Sequence, residues 1–176
     1  MVIIRCTHKL QKLLKLPLIA QPPAPGNRLG DWYANLIPTR AGDLIIFASE
    51  TTLLSVAIPA GQVAEPFALF VARVYNLLRM LDIPEPAVQT ELSWYRELGF
   101  ARTASRRVLG ALNEITLGYQ NFAVRQAGKG PPSLSEAELE LSRLLLSPLK
   151  YQHPAVVARA LLLGDSDNAA AGPHQT

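Results

Sequence analysis

The stretch "DWYANLIPTRAGDLIIFASETTLLSVAIP", residues 31–59, sets the fold class of this chain. It holds three segments typical of strands, "DWYANLI", "DLIIFAS" and "TTLLSVAIP", in which apolar residues alternate with polar ones or form compact runs. The joining sequences "PTRAGD" and "SET" are long enough only for turns. These residues therefore predict an antiparallel meander of three strands.

The first of these strands carries a candidate polar surface. Because successive side chains of a strand point to opposite faces, Trp32 is predicted to lie in the core beneath the helices. The other face of the same strand carries the polar candidates Asp31, Tyr33 and Asn35.

The flanking sequence completes an α+β fold. Residues 2–6, "VIIRC", predict a further strand, followed by a helix over 8–16 with Thr7 as its N-cap. Beyond residue 60 the apolar period becomes helical, and helices are predicted over 65–82, 87–98, 106–126, 134–146 and 154–163. Gly99 is a candidate helix C′ residue, and 100–104 is read as a linker or a fifth short strand. We expect about five helices packed on one face of a small antiparallel sheet.

Composition indicates one globular domain with a partner. Hydrophobic residues make up 49% of the 176 residues and charged residues only 18%, which excludes bulk disorder and favours apolar surface covered by a protein partner or a second copy of the chain. The domain is predicted over 1–163, with a disordered tail over 164–176.

The cysteine content and the opening sequence predict a cytoplasmic protein. The single Cys6 cannot form an intramolecular disulfide, and basic residues interrupt the opening segment, so no secretory signal is predicted. No apolar run reaches the roughly 18 to 20 residues of a membrane helix, so no membrane association is expected.

Positive charge gathers at two predicted helix starts. Ser105 is placed to cap the helix over 106–126, with Arg106 and Arg107 in its first turn and Arg102 close by. Cations at the positive end of a helix cost about 0.3–1 kcal/mol each unless an anion or carboxylate sits there. This helix start is therefore a candidate site for phosphate or nucleic acid, with the alternative that a carboxylate from another element or water neutralises the charge.

The helix after "VIIRC" offers a second basic start, with His8 and Lys9 in its first turn and Arg5 on the preceding strand. If both helix starts face the same side of the sheet, they form one anion-binding surface. Asn113 adds a further polar candidate on the longer helix.

Motifs of standard enzyme chemistry are missing from the sequence, which holds no glycine-rich phosphate loop, GxSxG, HExxH or CxxC. Its histidines, His8, His153 and His174, lie in three different settings. No metal site and no cofactor are therefore predicted.

These features favour a small binding or regulatory module with a protein or nucleic-acid partner. The alternative is a phosphoryl-transfer or nuclease-type enzyme in which Asp31, Glu50 and Glu114 serve as acid or base near the arginines. A third possibility is a purely protein-binding module anchored by Trp94 and Tyr95, unless Trp94 belongs to the core.

Five stretches also carry a family resemblance: "IIRCTHKLQKLL", "LGDWYANL", "TTLLSVAIP", "RRVLGALNE" and "SPLKY". In this order, over roughly residues 2–162, they resemble an uncharacterised family of short bacterial and archaeal proteins, a domain of unknown function. The resemblance implies a single intact domain and no established activity. The chain departs from the family where Ser105-Arg106-Arg107 and "VLGALNE" replace the more usual Asn-Arg-Ser and "VLGSMND"-like run. If that helix start is a binding site, the extra arginine changes which ligand it binds.

Overall fold

The computed structural model describes residues 1–61, 66–126 and 133–164, so most of the predicted disordered tail lies outside the described residues. The elements in chain order are β1 (Val2–Cys6), α1 (His8–Leu14), β2 (Trp32–Ile37), β3 (Leu44–Ser49), β4 (Ser55–Pro59), α2 (Pro66–Met80), α3 (Glu85–Leu92), β5 (Leu98–Arg102), α4 (Arg106–Arg125), α5 (Leu134–Leu141) and α6 (Pro154–Leu163). Short 3₁₀ turns span Ser93–Arg96 and Ser147–Leu149. Within the described ranges, none of the helices has the length and apolarity needed to cross a membrane.

The strands form one mixed five-stranded sheet in the order β4-β3-β2-β1-β5. The antiparallel meander β2-β3-β4 is as predicted, and the α+β class is confirmed. β1 instead runs parallel to β2, with Ile4 opposite Trp32, and β5 runs parallel to β1 with Phe100 opposite Ile4. The fifth strand is thus real, and the sheet is not purely antiparallel.

Helices cover both faces of the sheet, so the prediction of one covered face is wrong. The first face, which carries Trp32, packs against α1, α2, α3 and α6. The second face, which carries Tyr33, packs against α4 and α5. The physical reason lies in β3, where Ile45 and Phe47 are buried on the first face and Ile46 and Ala48 on the second. A continuous apolar run of this kind is typical of a strand buried on both sides.

Several predicted element boundaries shift for local reasons. Gly99 is not a helix C′ residue, because the backbone is already extended at Glu97 and Gly99 pairs with Ile3 inside β5. β4 begins only at Ser55, since Leu53 takes a left-handed backbone with φ of 56°. The first helix ends at Leu14, where Lys15 adopts the left-handed C-cap conformation.

Both edges of the sheet are covered by polar contacts. The Ile19 N–H donates to Phe100 O at 2.7 Å along the outer side of β5. On the outer side of β4, the Ala57 N–H donates to the Glu138 carboxylate at 2.9 Å. Covered edges prevent pairing with strands of other molecules.

Candidate functional site

A buried ion pair joins β1 to the residue before β2. Arg5 stands opposite Tyr33 on the second face, and its Nε donates to Asp31 Oδ2 at 2.7 Å. The Asp31 side chain is only 2% exposed, and this burial raises the pKa of Asp31, although the hydrogen bond and charge of Arg5 lower it in part. The other oxygen, Asp31 Oδ1, is buried and finds no hydrogen-bond donor among the described residues.

The hydroxyl of Tyr33 ties this pair to the start of α4. It accepts the backbone N–H of Ser105 at 2.9 Å and donates to Glu50 Oε1 at 3.4 Å. The ring of Tyr33 is fully buried, and burial raises the pKa of its hydroxyl. Ser105 Oγ in turn accepts the Val108 N–H at 3.3 Å, so Ser105 is the N-cap that the sequence predicts.

The two arginines in the first turn of α4 have different surroundings. Arg107 donates through Nη2 to Glu50 O at 2.9 Å and through Nη1 to Pro148 O at 3.4 Å. The exposed Arg106 side chain makes no hydrogen bond or ion pair with any residue that the structure describes. Carbonyl oxygens therefore bind Arg107, while the positive charge of Arg106 faces solvent.

A cavity of about 510 Å³ opens beside this helix start. Arg5 and Arg102 line it together with the backbone that leads into α4, and Arg5 Nη1 donates to Arg102 O at 3.2 Å. The remaining lining residues are Leu18, Ile19, Ala20, Pro22, Ala101, Thr103 and Ala104. Cavities of roughly 300–1,000 Å³ are the usual size of small-ligand sites. The basic crevice, defined as this cavity plus the first turn of α4, therefore has room for a ligand.

The charge of the basic crevice is positive overall. It contains four arginines, namely Arg5, Arg102, Arg106 and Arg107, against the two carboxylates Asp31 and Glu50. Arg5 uses only Nε and Nη1 for bonds within the described part of the chain, which leaves its Nη2 amino group for a ligand. The crevice therefore combines positive charge from two adjacent strands and one helix, which favours an anion over a neutral ligand.

The second basic helix start lies elsewhere. α1 packs on the first face through Leu10, whereas α4 packs on the second face, so the condition for one shared surface is not met. Lys9 Nζ donates to Leu36 O at 3.4 Å, and His8 is exposed. The polar candidate Asn35 accepts the hydroxyl of Thr7 at 2.9 Å.

The acidic residues of the enzymatic alternative come together only in part. Asp31 pairs with Arg5, and Glu50 accepts the hydroxyl of Tyr33 on the adjacent strand. Asn113 and Glu114 are exposed on α4, and Glu114 lies about 12 Å along the helix axis from Arg106 at 1.5 Å per residue. No group of three or more metal-ligating side chains occurs among the residues searched, which are those described.

The pair Trp94 and Tyr95 does not form one surface anchor. Tyr95 belongs to the core, where its hydroxyl accepts Trp32 Nε1–H at 2.8 Å and donates to Glu91 Oε1 at 3.2 Å. Trp94 is 43% exposed, and its ring covers Gly26. Tyr95 is therefore unavailable to a partner.

Sequence reasoning missed two buried carboxylates that hold parts of the fold together outside the crevice. Glu91 accepts Asn27 Nδ2–H and the backbone N–H groups of Arg28 and Leu29, and so fixes the loop before β2. Glu138 is fully buried and binds Arg73 through both oxygens. Helical spacing was the available signal, because each glutamate falls on the apolar stripe of its helix.

Comparison with known proteins identifies the family of this chain. The family model described as "Domain of unknown function (DUF6933)" matches residues 3–157, close to the range of the resemblance seen in the sequence. No curated protein and no solved structure matches the chain. The chain therefore belongs to the DUF6933 family, a domain of unknown function.

Proposed function

We propose that this protein is a binding module that recognises the phosphate groups of an anionic partner through the basic crevice. One observation carries the proposal: Arg5 and Arg102 line the same cavity of about 510 Å³, directly before the first turn of α4. The two arginines, and the positive end of a long helix that begins two residues after Ala104, place positive charge around this opening, which favours an anion.

The unpartnered charge of Arg106 supports this function. A cation in the first turn of a helix is unfavourable by about 0.3–1 kcal/mol when nothing neutralises it. Arg107 is bound to carbonyl oxygens, but Arg106 is exposed. A phosphate beside Arg102 and Arg106 would convert this unfavourable arrangement into charge-assisted hydrogen bonds.

We place the protein in the cytoplasm, a proposal supported by the absence of a second cysteine with which the buried Cys6 could form a disulfide within the chain. A protein partner or a homo-oligomer, predicted from the high apolar content, stays a prediction.

Binding of mixed-sequence DNA and RNA across a salt series tests the proposal by fluorescence anisotropy. If Arg5, Arg102 and Arg106 each meet a phosphate, the logarithm of the affinity for single strands falls with a slope of about −2 against the logarithm of salt concentration. Raising the salt from 50 to 200 mM then weakens binding roughly 20-fold.

The variant Arg102→Ala removes one of these contacts, and we expect its slope to flatten by about 0.7. Arg143→Ala is the matched control, because Arg143 is exposed just after α5, which packs at the opposite edge of the sheet. Absence of binding at low salt, or equal losses in the two variants, would contradict the proposal. Metal-dependent breakdown of the oligonucleotides would instead favour the enzymatic alternative.

A further inference from the structure

The loop between α5 and α6 holds an exposed aromatic side chain next to the basic crevice. Leu149 is buried in the second-face core and anchors the loop, which an isolated bridge between Leu146 and Gln152 closes. Tyr151 is 69% exposed, and nearby Leu145 is 59% exposed. The tyrosine ring is therefore presented to solvent by a loop that is itself fixed to the core.

The backbone of this loop is unfavourable for its own sequence. Lys150 and Tyr151 are consecutive non-glycine residues in the left-handed region, with φ of 53° and 59°. The left-handed conformation is unfavourable for residues with a Cβ, and it persists only where the surrounding structure holds it. Burial does not compensate for it at Tyr151, whose side chain lies mostly in water.

Arg107 connects this loop to the basic crevice. Its Nη1 donates to Pro148 O at 3.4 Å, and Pro148 precedes Tyr151 by three residues, a chain length that spans at most about 10 Å. Arg107 also follows Ala104, which lines the cavity, by three residues. The exposed Lys150 adds a further positive charge on this side. Lys150, Arg107 and Arg102 thus define a positively charged track between this loop and the cavity, and Tyr151 follows Lys150 at the loop end of the track.

We infer that the anionic partner is a single-stranded nucleic acid, whose phosphates follow this track while one base stacks on Tyr151. The inference rests on the proposed function, and it explains why an exposed aromatic ring lies in this loop at Tyr151. Binding of single strands combines a basic groove with an aromatic platform, because every unpaired base offers a flat face for stacking. A duplex keeps its bases stacked inside and gains nothing from Tyr151.

The test measures the affinity of the full chain for a fluorescein-labelled 12-nucleotide single strand and for a duplex of the same sequence. A 12-mer falls within the roughly 4 to 16 nucleotides that one small domain binds. The variants are Tyr151→Ala and Tyr151→Phe, with Trp94→Ala as the matched control, because Trp94 is an exposed aromatic residue outside the crevice. Arg102→Ala reports separately on phosphate binding.

We expect Tyr151→Ala to weaken single-strand binding about tenfold and duplex binding less than twofold, since loss of one stacked base has this effect. Tyr151→Phe keeps the ring and should bind the single strand within twofold of the wild type. Trp94→Ala should match the wild type.

If Tyr151→Ala binds the single strand as the wild type does while Arg102→Ala is weakened, the stacking inference is wrong and the phosphate-binding function stands. An equal loss of single-strand and duplex affinity in Tyr151→Ala would also overturn the inference. If the wild type binds neither probe at low salt, the proposed function itself fails.

Discussion

Replacement by alanine should change the free energy of unfolding in opposite directions at Arg106 and Arg107, the two neighbouring arginines at the start of α4. Arg106→Ala removes a cation from the positive end of the helix, and no side-chain contact with a described residue is lost. Relief of the unfavourable dipole interaction should therefore raise the free energy of unfolding by about 0.3–1 kcal/mol. Arg107→Ala gains the same relief but loses the hydrogen bonds to Glu50 O and Pro148 O.

The difference between these two variants isolates the contacts of Arg107, because the dipole and helix-propensity contributions of adjacent first-turn positions nearly cancel. A hydrogen bond from a charged donor contributes about 1.5–3 kcal/mol, and the exposure of Arg107 places it at the lower end. We therefore expect Arg107→Ala to be about 1.5 kcal/mol less stable than Arg106→Ala. For a chain of this length, that difference corresponds to roughly 3–6 °C in Tm.

Urea unfolding followed by circular dichroism measures both variants against the wild type at low ionic strength. A stabilised Arg106→Ala variant with weaker anion binding would indicate a residue kept for a ligand at the expense of stability. If Arg106→Ala proves as destabilising as Arg107→Ala, then Arg106 has a structural role and the interpretation of this helix start is wrong.

Four further substitutions test the packing of the fold. On α4, Gly110→Ala should stabilise the protein by about 0.5–1 kcal/mol in thermal unfolding, because a Cβ there meets open space. Gly118→Ala should be less stable than Gly110→Ala, since its Cβ would collide with the Leu141 side chain of α5; equal gains in the two variants would contradict this packing. Burial raises the pKa of Glu138 above its ordinary value of 4.5 despite the charge of Arg73, so the folded state holds that proton more tightly than the unfolded state. The stability of the wild type relative to Glu138→Gln should thus be greatest below pH 4.5 and fall as the pH rises through the raised pKa, and urea titrations showing the opposite trend would refute this. Glu91→Ala should cost at least about 3 kcal/mol in urea unfolding, because several buried donors lose their acceptor; a loss below 1 kcal/mol would show that water replaces the carboxylate.

Local sequence patterns were sufficient for the meander and for α4. Alternation and short turns fix the pairing of β2 with β3 and of β3 with β4, and Ser105 marks the helix start that it caps. The parallel pairing of β1 with β2 and β5 was beyond such patterns, because it joins Ile4 to Phe100 across nearly a hundred residues. Long-range pairing depends on the whole core and on loop closure, which no local window contains.

The candidate site also contains residues that local sequence could identify and contacts that depend on the tertiary fold. Arg102, Arg106 and Arg107 were identified from a few adjacent residues, since charge at a helix start is a local property. The contact of Arg5 with Asp31 depends on the register of two strands, and the cavity wall at 18–22 depends on how a proline-rich segment returns along β5. Neither could be inferred without the tertiary fold.

The buried glutamates were within reach of sequence reasoning. Val88 and Glu91 on α3 and Tyr95 in the 3₁₀ turn that follows recur at the spacing of one helix face, and on α5 Glu138 falls between Leu134 and Leu141 in the same way. A carboxylate on an apolar stripe predicts a buried acceptor with partners from other elements. Those partners, such as the Ala57 N–H at the edge of β4, become visible only in the folded chain.

The basic crevice itself is tested most directly by NMR titration of the ¹⁵N-labelled protein with inorganic tripolyphosphate, an anion that has no bases to stack. The predicted result is saturable movement of the amide signals of Arg5 and of residues 102–107, with the signals of α5 (Leu134–Leu141) unchanged. Movement confined to His8 and Lys9, or no movement at millimolar tripolyphosphate, would contradict the assignment of the crevice as the anion site.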